Sequence, residues 1–362
     1  MLTSLSSNVV LAKARTMYGR RLTQADYNEL LKCRTVGEVA GYLKNHTVYS
    51  KALAGVVENE IHRGELEARL KQKLMEDYAS LCKYEVEVDR HFSRSFIERD
   101  EIQLLLRAVL RINSAKKEAG ESFFPPYLLR NTSLDLSALS RAKSVEDLKH
   151  IVEKTPYEKA AAPFLAQTEQ KIDYTGLENA LYCNLFANIM QTISKHFIGE
   201  PKKELLEIYQ AYLDLNNYVR IVRLRVQYGI SPEEAKKMLL PSGAFSEEFL
   251  DKMAQGSTEE EIQSVLEHTE VGRKALKMRH VYLDEIPARM NFQLCRHFID
   301  FSIYPPVVLI AFIFLSETEI GNIVTVIEGK RYQLEPEEIK KLLIFEKFNR
   351  AAVTARNSQE RG

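Results

Sequence analysis

Apolar side chains recur along this chain at steps of three to five residues far more often than at steps of two. From Ile61 they run through Leu66, Leu70, Leu74, Tyr78 and Leu81, with Glu, Arg and Lys between them. That spacing lays one apolar stripe along a helix whose other faces meet water. Residues 96–112 and 205–226 are denser in apolar positions, which predicts more deeply buried helices. Tyr84 to Val88 alternates in the strand manner but has no partner run. Ile323 to Ile327 is β-branched yet continues a helical pattern, and reads as helix. Pro305 and Pro306 open the longest apolar run, Tyr304 to Leu315, as suits the start of a buried helix. That run, about a dozen residues, is short of the roughly 20 that span a bilayer. The pattern predicts an all-α protein.

Helix start signals show an internal repeat. In a capping box, Ser or Thr at the N-cap and an acid three residues later satisfy each other's exposed backbone N–H groups. Such pairs stand at Thr23/Asp26 and Thr35/Glu38, at Thr132/Asp135 and Ser144/Asp147, and at Ser231/Glu234 and Thr258/Glu261. The boxes of the first two sets lie 35 − 23 = 12 and 144 − 132 = 12 residues apart; the third gap is 258 − 231 = 27. The excess of 27 − 12 = 15 predicts an insertion around Pro241 to Phe249. Lys51-Ala-Leu53, Lys159-Ala-Ala161 and Lys274-Ala-Leu276 follow the second boxes, and each unit then carries long helices. The expectation is three similar helical bundles, 1–122, 123–229 and 230–362, in pseudo-threefold arrangement around a central opening. The seams are the polar, then Pro-rich segment 113–126 and Gly229 to Pro232. The tail from Ala352 should fray.

Within the apolar helix closing each unit, an acid precedes an amide by three residues: Asp100/Gln103, Asp214/Asn217 and Glu319/Asn322. Arg107 and Arg223 lie downstream of the first two. Buried charge is costly unless paired. Two readings follow for these eight residues: internal bonds that fix helix register, or a polar lining of the opening that contacts a partner.

Composition narrows the function. Lys+Arg and Asp+Glu are both 50, which argues against a dedicated nucleic-acid binder. Only 15 glycines occur in 362 residues, with no G-x-x-x-x-G-K-[ST] or G-x-G-x-x-G loop, so no direct nucleotide binding is expected. Cys33, Cys82, Cys183 and Cys295 lack the spacing of a metal knuckle or redox pair, and Cys295-x-His297 alone falls short of a zinc site. The histidines His46, His91 and His150 have no nearby constellation. The expectation is no catalytic residue, metal or cofactor. The opening residues lack a basic start and apolar run, so no signal peptide is expected.

The pattern resembles the C/d family of V-type ATPase subunits. Its marks are Pro305 to Leu315, then Glu317-Thr-Glu-Ile-Gly-Asn-Ile323, then Leu334-Glu-Pro-Glu-Glu-Ile339, and the middle-unit stretch Asp214 to Arg223. The first unit departs from the pattern with Gln103 in place of Asn and Val109 where Arg223 would match. The resemblance implies a funnel of three bundles, peripheral to the cytoplasmic face of a membrane. Its base would sit on the proteolipid rotor ring, and its opening would hold the central-stalk subunits, passing torque between ATP chemistry and ion movement. A free-standing helical-repeat scaffold binding cytoplasmic proteins is the alternative reading, and a helical enzyme with dispersed residues a third.

Overall fold

A computed structural model describes residues 2–84, 86–114, 124–166 and 171–345. The tail from Ala352 and most of the first seam lie outside these. Seven helices of 17 residues or more build the frame: α1 (Leu2–Gly19), α2 (Arg63–Cys82), α3 (Val86–Asn113), α4 (Tyr174–His196), α5 (Gly199–Val222), α6 (Glu285–Phe301) and α7 (Pro305–Arg331). No strand occurs among the described residues. The alternation before Val88 therefore ends in helix, because Val86 to Val88 open α3.

The helices α2 to α7 pack in a closed cycle. α2 and α3, α4 and α5, and α6 and α7 are consecutive antiparallel pairs; α3 packs on α4, α5 on α6, and α7 back on α2. The three connecting turns lie at one end. His91 stacks on His196 at 3.9 Å, which levels the first turn with the second. Ser302 donates to Glu204 at 2.5 Å, which levels the second with the third. Across the third turn, Arg15 of α1 donates to the carbonyls of Ile299 and Ser302, both at 2.7 Å.

The predicted stripe on α2 is buried throughout. α7 begins on Pro305 and Pro306 and buries every residue from Val307 to Leu315. It is long and apolar enough to cross a membrane, but most of it is enclosed by α1, α2, α5 and α6. A helix apolar on all sides belongs inside a protein core or a bilayer, and here its neighbours supply the core.

Short helices precede each long pair, and their caps follow the sequence with one exception and one re-pairing. Thr23, Thr35, Ser144, Ser231 and Thr258 are N-caps, and the reciprocal box is complete at Thr23, Ser144 and Thr258. Thr132 instead ends a helix, and Asp135 caps the next, Leu136–Arg141. The Thr132 hydroxyl is drawn away by Glu101, to which it donates at 2.7 Å. In the third unit Ser246 caps a helix at Glu247–Gln255. The spacing 258 − 246 = 12 matches that of the first pair of caps, 35 − 23 = 12. The added element is thus the helix Pro232–Lys237 with the strap after it. Phe249 occupies the position where a capping box needs an acid, which hides this cap from a motif search.

Candidate functional site

The acid and amide of the second and third units are consumed by the backbone. Asp214 is 1% exposed and accepts from the N–H groups of Gly243 at 2.9 Å, Ala244 at 2.7 Å and Phe245 at 3.2 Å. Asn217, one turn on, accepts from the Leu240 N–H at 2.8 Å and donates to its carbonyl at 3.1 Å. Glu319 accepts from the Leu22 N–H and the Tyr49 hydroxyl, both at 2.7 Å. Asn322 makes the same two-way pair with Ile344, at 2.8 and 2.7 Å. Burial pushes the Glu319 carboxyl above its ordinary range against these donors. All four side chains fix chain segments that run across α5 and α7. These bonds satisfy backbone groups there, and a buried peptide group left unpaired is costly.

In the first unit Glu101 does this work. It is fully buried and accepts from the Ser133 N–H at 2.6 Å, the Thr132 hydroxyl, the Tyr157 hydroxyl and Arg94, the last at 2.6 Å. Tyr157 and Tyr49 each stand two residues before a lysine of the repeated Lys-Ala segments, so Glu101 and Glu319 meet equivalent tyrosines. Asp100, turned about 100° from Glu101 on the helix, is left to face another way.

That way is a cleft between α2, α3 and α7. Two adjoining cavities of about 250 and 230 Å³ share Glu67, Lys71, Asp100, Gln103 and Tyr127 in their walls. Lys71 meets Asp100 at 3.1 Å, and the Tyr127 hydroxyl donates to the same carboxylate at 2.5 Å. Arg99 meets Glu317 at 2.5 Å and lies over the Phe314 ring at 5.5 Å. Burial works against the Arg99 charge, but Glu317 outweighs it and raises the affinity for the proton. Gln103 bonds Tyr182. Arg107 is exposed on the wall, and Arg63 pairs with Glu328 at 3.0 Å nearby. The cleft runs from mid-helix toward the end remote from the three turns, where α2 begins and α3 finishes. Asp100, Gln103 and Arg107 thus share one wall.

Arg223 is on the surface, paired with Asp284, and is not a buried charge. The arginine enclosed on that helix is Arg220, which donates to Asn179 at 2.5 Å and the Met238 carbonyl at 2.7 Å. Among the described residues no group of three or more His, Cys, Asp or Glu is placed to hold a metal. Cys295 is buried, its thiol pushed up by that burial, while His297 is exposed and packs on Phe298 and Phe301.

Residues 10–342 match the family model described as ATP synthase (C/AC39) subunit. The chain belongs to this family. Among relatives in the C/AC39 family, the C subunit of the A-type ATP synthase from Thermococcus kodakarensis is 24% identical over 340 residues, covering 92% of this chain and 88% of the relative. The relative of the same description from Methanocaldococcus jannaschii is 24% identical, covering 92% and 85%. That from Archaeoglobus fulgidus is 21% identical, covering 92% and 95%.

Glu101, Arg99 and Glu317 of this C/AC39 chain escape a search for repeated acid–amide steps. Glu101 did leave a signal. It falls in phase with Ile97, Leu105 and Ala108, all buried, so a helical wheel places its carboxylate inside.

Proposed function

We propose that this chain is the non-catalytic rotor subunit of a V-type or A-type rotary ATPase, joining the central stalk to the membrane proteolipid ring. The carrying observation is the cleft between α2, α3 and α7. It is the place where the repeated acid–amide set meets side chains, Asp100 with Lys71 and Tyr127 and Gln103 with Tyr182, instead of backbone groups, and its charged walls suit a protein partner. The stalk end enters this cleft and meets Asp100, Gln103 and Arg107. The three turns at the other end present Ile198, Phe301 and Ile303, 86%, 71% and 69% exposed, and we assign that end to the ring. The closed cycle of long helices supports a pseudo-threefold funnel of units 1–122, 123–229 and 230–362. Dense helix packing gives the stiffness that transmitting torque requires. The protein is peripheral, on the cytoplasmic face.

The test is purification of tagged chain from gently solubilised membranes of its own host. Wild type should bring down ATPase head, stalk and proteolipid subunits. A D100A/R107E variant should stay folded and keep the proteolipids while losing most of the stalk. Wild type left in the soluble fraction without these partners would return the free-standing scaffold as the better reading.

A further inference from the structure

We propose that residues 246–284 form a lid that opens as one cooperative unit while the rest of the protein stays folded. The apolar interior is divided. One cluster holds α1 to α4, the first half of α5, the second half of α6, and α7. A second, of fourteen buried residues, joins the far half of α5 (Leu215, Tyr218, Val222) and Ile286 and Met290 of α6 to Leu250, Met253, Ile262, Leu266 and Ala275. Those last five come from the helices Glu247–Gln255, Glu259–Leu266 and Glu270–Leu276, of 9, 8 and 7 residues. Helices this short do not persist without packing, so they must form and melt together with their shared core.

The boundaries of the unit are marked by bonds. On one side the strap before it is fastened to α5 through Asp214, Asn217 and Arg220, and Leu240 of the strap sits in the larger cluster. On the other side Asp284 is the N-cap residue that precedes α6. Between them the lid is tied to the main body by polar links at its rim. Arg223 pairs with Asp284, and Lys236 with Asp251 at 2.5 Å, every one of these side chains more than two-fifths exposed. Arg225 donates to the Ala254 carbonyl at 2.7 Å. Exposed pairs of this kind hold weakly. Arg223 and Arg225 both stand on a π-helical turn, Arg223–Gln227, that ends α5, and such turns are rare overall but frequent at functional sites. The lid carries a modest excess of one sign: residues 246–284 contain nine carboxylates and five Lys or Arg, a net of 5 − 9 = −4, with eight of the carboxylates in 246–270. Opening uncovers the apolar strip of Tyr218, Val222, Ile286 and Met290.

Native-state hydrogen exchange of the full chain, read by mass spectrometry, tests this. Amides of the three lid helices should share one opening equilibrium and exchange at least tenfold faster than those buried in α7. Asp284→Ala, at an exposed position, should speed the lid a further threefold or more and leave α7 unchanged; Lys236→Ala should act likewise. Lid helices that exchange independently, or at the rate of α7, would overturn the proposal. So would variants that change neither region, or both equally.

Discussion

Asp214 and Asn217 show how much one polar side chain can fix when it is sealed inside. Burial pushes the Asp214 carboxyl up to about 6, against the pull of the Ala244, Gly243 and Phe245 N–H groups. The unfolded chain titrates this aspartate near about 3.9, so the folded form holds the proton more tightly. The resulting stabilisation is complete below about pH 4 and is lost as pH rises through about 6, a swing on the order of 3 kcal/mol. Asp214→Asn should therefore flatten the pH dependence of stability across that window in denaturant titrations; parallel curves for both proteins would refute it. Asn217→Ala strands both peptide groups of Leu240 and should cost about 2–4 kcal/mol. Arg223→Ala, on the surface, should cost less than about 1 kcal/mol in the same measurement. The sequence made these residues visible as polar interruptions of apolar helices, but not which were sealed. Asp100 and Glu101 are adjacent, and only the phase of the helix tells which one turns inward.

At the scale of elements, close approach matters as much as hydrogen bonding. The helix Pro336–Leu342 lies against α7 at Gly329, where an added methyl would meet the Ile339 side chain at 2.5 Å. Gly329→Ala should lower stability by about 1–3 kcal/mol through overpacking. Pairing it with Ile339→Ala should recover part of that loss, since the smaller side chain makes room; no recovery would mean the glycine serves another purpose. Helix existence and most caps were legible, because Ser and Thr at N-caps obey local chemistry. Two features were not. Thr132 was claimed by a side chain 31 residues away, and Ser246 lacks the acid that completes a box. Long-range bonds and incomplete motifs are invisible to a window of four residues.

For the whole molecule, the all-helical class was readable from periodicity, while the closing contact was not. No local signal announces that α7 packs on α2, or that Glu319 reaches back to Leu22 across 297 positions. The same contact has a bearing on biosynthesis. A ribosome delivers α2 and α3 long before α7, with 331 − 113 = 218 residues between their ends. At translation speeds of about 5–20 residues per second, the inner face of the first pair waits roughly 10 to 40 s for its cover. Leu70, Leu74 and Tyr78 are uncovered during that interval, and nascent chains halted before Pro305 should be the ones that recruit chaperones.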